Sequence, residues 1–307
     1  MKNRYDFQKA ITDEIIASIE AGNVLPWKCP WTRTSESAMP YNWLTKQAYS
    51  GINIILLWSA AMSLGYQRNG WLTFKQAQQL GGAVRKGEKG VRCVFAKPVE
   101  VANKDANPDE GEPESKVYFC YRPFTLFNLD QIEGLQDLPD LEQPEYSDSE
   151  AADAVDRAAE TYCANTGVIR RNGGNKAYYS PSLDQIVLPT TFHSGSDYAA
   201  TLAHEMIHST GHQSRLNRFD NTTESFKSYH ESYAFEELIA ELGSAFICSE
   251  LGVSGQHEQH VSYLDAWLKE LKSDKTFIFK AASAASKAHA FISESGAELN
   301  ALDQKAA

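Results

Sequence analysis

The chain has 307 residues, 42% of them hydrophobic, which is enough for two cores of ordinary size and excludes a disordered protein. It holds no apolar run of about eighteen residues and no C-x-x-C pair among its five cysteines, so neither a membrane span nor a thiolate metal site is predicted, and a reducing cytoplasm is the expected compartment. The net charge of −11 conceals a change of sign: residues 1–100 hold 13 Lys and Arg against 7 Asp and Glu, and residues 101–150 hold 3 against 13, so the N-terminal part is the one suited to an anionic partner.

Phe7, Ile11, Ile15 and Ile19 recur at helical spacing up to Gly22. The acids among them make Met1–Gly22 an amphipathic helix rather than an export signal. Leu25–Trp31 reads as an extended loop. A second helix begins after Ser50 and runs through Ile54, Leu57, Trp58 and Met62 to Gly65, and a third opens on Thr73 as N-cap and closes at Gly81-Gly82. Strands follow at Val91–Phe95, Val117–Tyr121 and Phe124–Phe127, with a polar, acidic tip over Asn103–Ser115. Leu135–Asp148, acidic and proline-bearing, reads as a linker, giving domains at 1–134 and 149–307 joined by residues 135–148.

The second domain opens with a helix over Ser149–Asn165 and strands at Ala177–Ser180 and Gln185–Leu188. Helices are then predicted over Tyr198–Thr210, Tyr229–Leu251, Gln256–Lys272 and Thr276–Ser293. No internal repeat is visible.

His204-Glu-Met-Ile-His208 has the HExxH pattern on the Tyr198–Thr210 helix. Four-residue spacing puts His204 and His208 on one face, while Ala199, Leu202, Ala203 and Met206 occupy the other. A catalytic zinc takes about three protein ligands and keeps an open position for water. The third is sought on Tyr229–Leu251, where Glu237 and Glu241 share a side flanked by small Ala234, Ala245 and Cys248. Glu237 is assigned as the ligand, and Glu241, one turn on, as a carboxylate orienting a ligand imidazole. Glu236 is the fallback, and a merely solvated acid pair is the plain alternative. Glu205, about 100° round its helix from His204, can face the water of the open position and take its proton as general base. His212 is off register for a longer three-histidine pattern, which would need its third histidine where Ser214 stands. It is read as a structural or substrate-side residue.

In the basic part, four of the six tryptophans stand near cations: Trp27 by Lys28, Trp31 by Arg33, Trp43 by Lys46, and Trp71 by Lys75. Arg85, Lys86, Lys89 and Arg92 add a dense positive cluster. Cations for phosphates interleaved with rings for unstacked bases suit single-stranded nucleic acid. The same residues also suit a small core with a solvated charged face, and no RNP, zinc-finger or helix-turn-helix signature decides between the two.

Motifs along residues 4–295 carry a resemblance that favours the first. They are Pro26-Trp-Lys-Cys-Pro-Trp31, Tyr49-Ser-Gly-Ile-Asn53, Trp71-Leu-Thr-Phe-Lys-Gln76, Val84-Arg-Lys-Gly-Glu-Lys-Gly90 and Phe127-Asn-Leu-Asp-Gln-Ile-Glu-Gly134. In the second half stand Thr201-Leu-Ala-His-Glu-Met-Ile-His208, Gly211-His-Gln-Ser-Arg-Leu-Asn-Arg218, Tyr233-Ala-Phe-Glu-Glu-Leu-Ile-Ala-Glu241 and Asp274-Lys. In these the chain resembles ArdC-type antirestriction proteins of conjugative plasmids, a family similar also to the N-terminal part of some plasmid primases. The resemblance implies a single-stranded-DNA-binding domain followed by a metallopeptidase-like domain, and the same zinc positions reached from helical geometry.

The expected fold is α+β in two domains: a mixed α/β DNA-binding domain and a mainly helical gluzincin-like metallopeptidase domain with a small sheet. The expected function is protection of incoming conjugative DNA from host restriction, with Zn2+, or another divalent ion such as Mn2+, as cofactor. Expected partners are single-stranded DNA and restriction-system or other DNA-associated proteins, with no membrane. The alternative is a DNA-tethered zinc endopeptidase acting on those proteins. A replication-linked primase accessory is a third reading, without a polymerase motif to support it.

Overall fold

The computed structural model describes residues 6–21, 25, 27, 39–102, 115–138, 147–219, 229–253 and 261–306. Helix α1 (Phe7–Glu20) is capped by Asp6, whose carboxylate accepts from Lys9 N at 3.1 Å, and it buries Ile11, Ile15 and Ile19. These residues pack far along the chain, against α7 (Val261–Ser273). There Thr12 Oγ1 donates to Lys275 O at 2.9 Å and Lys272 pairs with Glu20 at 2.6 Å. Helix α2 (Ile52–Leu64) likewise sets Trp58 against Phe246, 5.7 Å between ring centroids, and Gly51 N donates to Ser286 Oγ at 2.7 Å. The two chain segments inferred from sequence are therefore distinct in composition, yet the largest core runs through both.

The N-terminal sheet has the order β1-β2-β5-β4, built from β1 (Tyr41–Asn42), β2 (Gly70–Leu72), β4 (Val91–Ala102) and β5 (Ser115–Asn128). A short pair, β3 (Ala83–Val84) with β6 (Ile132–Glu133), stands beside it. Between them α3 (Phe74–Gln79) starts on a capping box in which Thr73 and Gln76 satisfy each other's backbone N–H, as its N-cap residue predicts. Where the sequence suggests three short strands, the structure has one long hairpin, β4 and β5, paired from Val91↔Leu126 to Ala102↔Ser115. Pro123 does not break it. Val94, opposite Pro123, directs its N–H and C=O away to the Asn53 side chain at 2.9 and 2.8 Å. That makes Val94–Pro123 a pair without ladder bonds, so none is lost at the proline. The predicted tip loop falls mostly on residues 103–114, outside the described residues, and Ser115 itself is strand.

The predicted linker also lies largely outside them, over 139–146, but its end belongs to α4 (Asp148–Thr166), capped by Ser147 and Glu150. A three-stranded sheet of order β7-β9-β8 follows: β7 (Ile169–Asn172), β8 (Tyr178–Ser180) and β9 (Gln185–Leu188). Strand β7 escapes the sequence pattern because Ile169 is its only apolar member. Helix α5 (Gly195–Ser209) begins before the predicted Tyr198, since Ser194 is the N-cap, accepting from Asp197 N at 3.0 Å. Helices α6 (Tyr229–Leu251), α7 and α8 (Phe277–Ala306) complete a mainly helical half. The fold is α+β, and among the described residues no helix is long and apolar enough to cross a membrane.

Candidate metal centre and basic face

Leu202, Ala203, Met206 and Ile207 bury α5, and His204 and His208, one turn apart, share the side that meets α6. The helices approach closely because the contact residues are small. A Cβ on Gly243 would stand 2.6 Å from Ile207 Cδ1, and Ser244 Oγ donates to Ala200 O at 3.1 Å. At the other end of the contact, Trp267 Nε1 donates to Ala234 O at 3.0 Å and pins the early turns of α6.

This contact brings together the ligand atoms of His204, His208 and Glu237, all within 4.8 Å of one another. The Nε2 atoms of His204 and His208 are 3.1 Å apart, and Glu237 Oε2 and Oε1 lie 3.6 Å from the former and the latter. Behind the rings stand two more carboxylates: Glu236 Oε1 is 3.3 Å from His208 Nδ1, and Glu241 Oε2 is 3.8 Å from His204 Nδ1. Glu236, the fallback ligand, does not join that group. It sits on the outer side of His208, in contact with Arg218, because it projects round α6 from Glu237. His212 stays outside the cluster, its Nδ1 held by Ser214 at 2.8 Å.

The charge at this contact is lopsided. Glu205, Glu236, Glu237 and Glu241 are all at most 9% exposed, and the Arg218 guanidinium pairs with Glu236 among them. Burial pushes the Glu237 carboxyl up, but His204, His208 and the Tyr233 hydroxyl outweigh it and pull it down to about 2. Burial favours neutral His204, yet Glu237, Glu205 and Glu241 lift it to about 9. Glu236 is held below the usual carboxylate range despite its burial, by Arg218 and His208. Glu205 Oε2 is buried without a hydrogen-bond partner among the described residues. Clustered buried carboxylates and an orphaned carboxylate oxygen are costly unless something cationic and proton-bearing meets them. The two imidazoles and Glu237 are the N and O donors a divalent ion takes.

The predicted nucleic-acid residues divide. Trp27 and Trp71 are 2% and 0% exposed and belong to the core, which removes their rings as stacking platforms. Lys28, Trp31 and Arg33 lie outside the described residues. Trp43 is half-buried under Lys46, whose Nζ is 3.1 Å from the ring centroid. Lys75, Arg85, Lys86, Lys89 and Arg92 are exposed. Arg85 pairs with Glu88 at 2.9 Å, whereas Lys75, Lys86 and Lys89 have no carboxylate within ion-pair distance among the described residues.

The turn carrying the lysines is braced by Gln131, whose Nε2 donates to Glu88 Oε2 and Lys89 O at 2.9 and 3.0 Å. Gly90 lets it lie against β5, for a Cβ there would stand 3.0 Å from Phe127 Cζ. Phe127 in turn meets Phe74 edge-on at 6.3 Å, and Phe74 is 49% exposed beside Lys75. The sequence pointed to tryptophans near cations, but the ring that stands exposed next to Lys75 is a phenylalanine. Its position opening the helix after Thr73 was the available signal.

Two families match consecutive parts of the chain: the N-terminal domain of anti-restriction factor ArdC over residues 5–127, and a zincin-like metallopeptidase family over residues 157–284. Two crystal structures of the antirestriction protein ArdC from plasmid R388 share 40% identity with it. One, metal-free, covers 96% of this chain and 99% of that one with a TM-score of 0.75. The other, with Mn(II) bound, covers 95% and 99% with a TM-score of 0.73. An uncharacterized protein y4eC of Sinorhizobium fredii is 37% identical over 287 residues, 91% of this chain and 89% of that protein. The DNA primase TraC of Escherichia coli is 35% identical over 305 residues, which is 95% of this chain but only 20% of that primase.

Proposed function

The chain belongs to the ArdC family of antirestriction proteins, and from that premise we propose that it binds single-stranded DNA and shields conjugatively entering plasmid DNA from host restriction. The observation that supports this is that Lys75, Lys86 and Lys89 are exposed with no carboxylate within ion-pair distance among the described residues, and that Phe74, next to Lys75, exposes its ring. Phosphates take such cations, and an unstacked base takes the ring. Single-strand preference follows from the ring, which a duplex with its bases stacked does not use. Fluorescence anisotropy with labelled single- and double-stranded oligonucleotides at two salt concentrations tests it. Tighter, salt-sensitive binding of the single strand is expected, and equal affinity for both forms refutes it.

The second half holds, on this reading, a divalent cation, zinc or manganese, between His204, His208 and Glu237, with Glu205 as general base. When bound, such an ion supplies Lewis-acid polarisation of a carbonyl. The chain's own residues supply the rest. Glu237 and the two Nε2 lone pairs form the donor set, and Glu236 and Glu241 sit behind the imidazoles to orient them. Glu205 keeps a carboxylate oxygen uncommitted, so it can accept a proton from water entering between α5 and α6 and return it to a leaving amine.

That orphan oxygen favours a second reading, a DNA-tethered endopeptidase acting on restriction or other DNA-associated proteins. Glu205→Ala separates the two. Full protection of transferred plasmid DNA with metal and DNA binding retained leaves shielding as the function, and lost protection with both retained assigns it to proteolysis.

A further inference from the structure

Arg218 lies just past the turn after α5, at the far end of a segment folded back on that helix: Arg218 N donates to Gly211 O at 2.9 Å and Leu216 N to Thr210 O at 2.9 Å. Its guanidinium is almost wholly buried, with the side chain 10% exposed, and four contacts divide it between two helices. Toward α5, Nη1 donates to Thr210 Oγ1 at 2.6 Å and Nη2 to the Ile207 carbonyl at 2.9 Å. Toward α6, Nε donates to Glu236 Oε2 at 3.1 Å and Nη2 to Glu236 Oε1 at 2.6 Å. The two-pronged grip leaves Glu236 one orientation, and in it Oε1 stands 3.3 Å from His208 Nδ1.

A carboxylate at Nδ1 takes that nitrogen's N–H, which places the lone pair on Nε2, and Nε2 is the atom that faces His204 and Glu237. The planar, five-donor fork is what the position requires. A lysine has no second arm to hold the Ile207 carbonyl and both oxygens of Glu236 together.

We infer that Arg218 is a positioning residue of the metal centre, acting through Glu236 to fix the ring plane and tautomer of His208. The inference rests on the reading that His204, His208 and Glu237 hold a divalent ion. It assigns the segment that follows α5 a part in metal affinity although no residue of that segment belongs to the donor group.

The test is a double-mutant cycle read as Zn2+ affinity by chelator competition on the full chain, with circular dichroism confirming the fold. Arg218→Met and Glu236→Gln are each expected to weaken Zn2+ binding about 10- to 100-fold, the range for groups that orient a ligand. With Glu236→Gln already present, Arg218→Met is expected to add less than about 3-fold, because the arginine acts through that carboxylate. Arg218→Lys keeps the buried charge and serves where the methionine variant does not fold; an intermediate loss is expected.

Unchanged Zn2+ affinity in a folded Arg218 variant overturns the inference. So do single effects that multiply in full in the double variant, which is what an independent, merely structural arginine gives. If wild type and His204→Ala bind Zn2+ equally, the metal-site reading itself fails, and the inference with it. If His204→Ala loses the ion while the Arg218 variants keep it, only the arginine's role is refuted.

Discussion

The Nε2 atoms of His204 and His208 stand 3.1 Å apart and face the two oxygens of Glu237, each 3.6 Å from one of them. Ligand atoms about 2.0–2.1 Å from a common zinc in tetrahedral geometry are roughly 3.3 Å apart, so the spacing suits one shared ion. His204→Ala or Glu237→Gln is expected to abolish stoichiometric zinc or manganese by elemental analysis, a larger loss than the roughly 10- to 100-fold of an orienting group. Undiminished metal in the Glu237 variant would return that carboxylate to a plain ion-pair role.

Phe74 and Trp71 stand three residues apart with opposite exposures, 49% and 0%, and so make opposite predictions. Phe74→Ala removes an exposed ring and should leave the melting temperature nearly unchanged while weakening single-stranded DNA binding by about 5- to 100-fold, the worth of about one stacked base. Its salt dependence should not change. Lys86→Ala should instead lower the salt slope by about 0.7, one phosphate contact on a single strand. Trp71→Ala truncates a core residue and is expected to cost about 3–5 kcal/mol of stability in a urea titration. Normal DNA affinity in Phe74→Ala would move the stacking surface elsewhere on the module.

The legible parts of this molecule are those whose physics is local. His204, Glu205 and His208 lie within one helical turn or so, and Glu237 follows from the acid face of one helix, so a pattern of spacing carries them. The capping residue Thr73 acts within four residues. What escaped depends on contacts between distant segments. Trp27 and Trp71 carry the same neighbours in sequence as an exposed platform would, and only packing buries them, Trp27 in the large core and Trp71 with Leu57 of α2 and Leu126 of β5. Arg218 reaches Glu236 across 18 residues, and nothing in the local pattern distinguishes it from a solvated arginine. Gly243, in mid-helix where glycine is unfavourable by about 1 kcal/mol, was a further local sign of the close α5–α6 approach, beside small Ala234, Ala245 and Cys248.

Asn53 satisfies both main-chain groups of Val94, which is 4% exposed. It ties α2 to the outer strand of the sheet at the position opposite Pro123, where the neighbouring strand offers no bonds. Asn53→Ala leaves a buried N–H and a buried C=O unmet, and a loss of about 2–4 kcal/mol is expected in chemical denaturation. Asn53→Asp keeps the acceptor for the Val94 N–H but places a carboxylate against the Val94 carbonyl, so it should not rescue stability. Stability within about 0.5 kcal/mol of wild type in Asn53→Ala would mean that water replaces the side chain at this edge.

Asp184, in the turn between β8 and β9, is gripped by Arg215 from the segment after α5: Nη1 reaches Oδ2 at 3.0 Å and Nη2 reaches Oδ1 at 2.5 Å, while Tyr179 Oη donates to Oδ1 at 2.7 Å. Burial pushes the Asp184 carboxyl up, but the Arg215 and Tyr179 hydrogen bonds prevail and hold it below its usual value. A depressed carboxylate binds its proton more readily in the unfolded chain. Its contribution to stability is therefore fully present above the unfolded pKa of about 3.9 and fades as pH falls through the lower folded value. Asp184→Asn should thus be less stable than wild type at pH 6 to 8, by about 1–3 kcal/mol, since Arg215, 2% exposed, is left with a neutral partner. The gap should narrow as the pH is taken below about 4, where wild type begins to lose the same charge. Thermal melts of both proteins between pH 3 and pH 8 measure it. A gap that stays constant across that range would assign the effect to lost packing in the β8–β9 turn rather than to the ion pair.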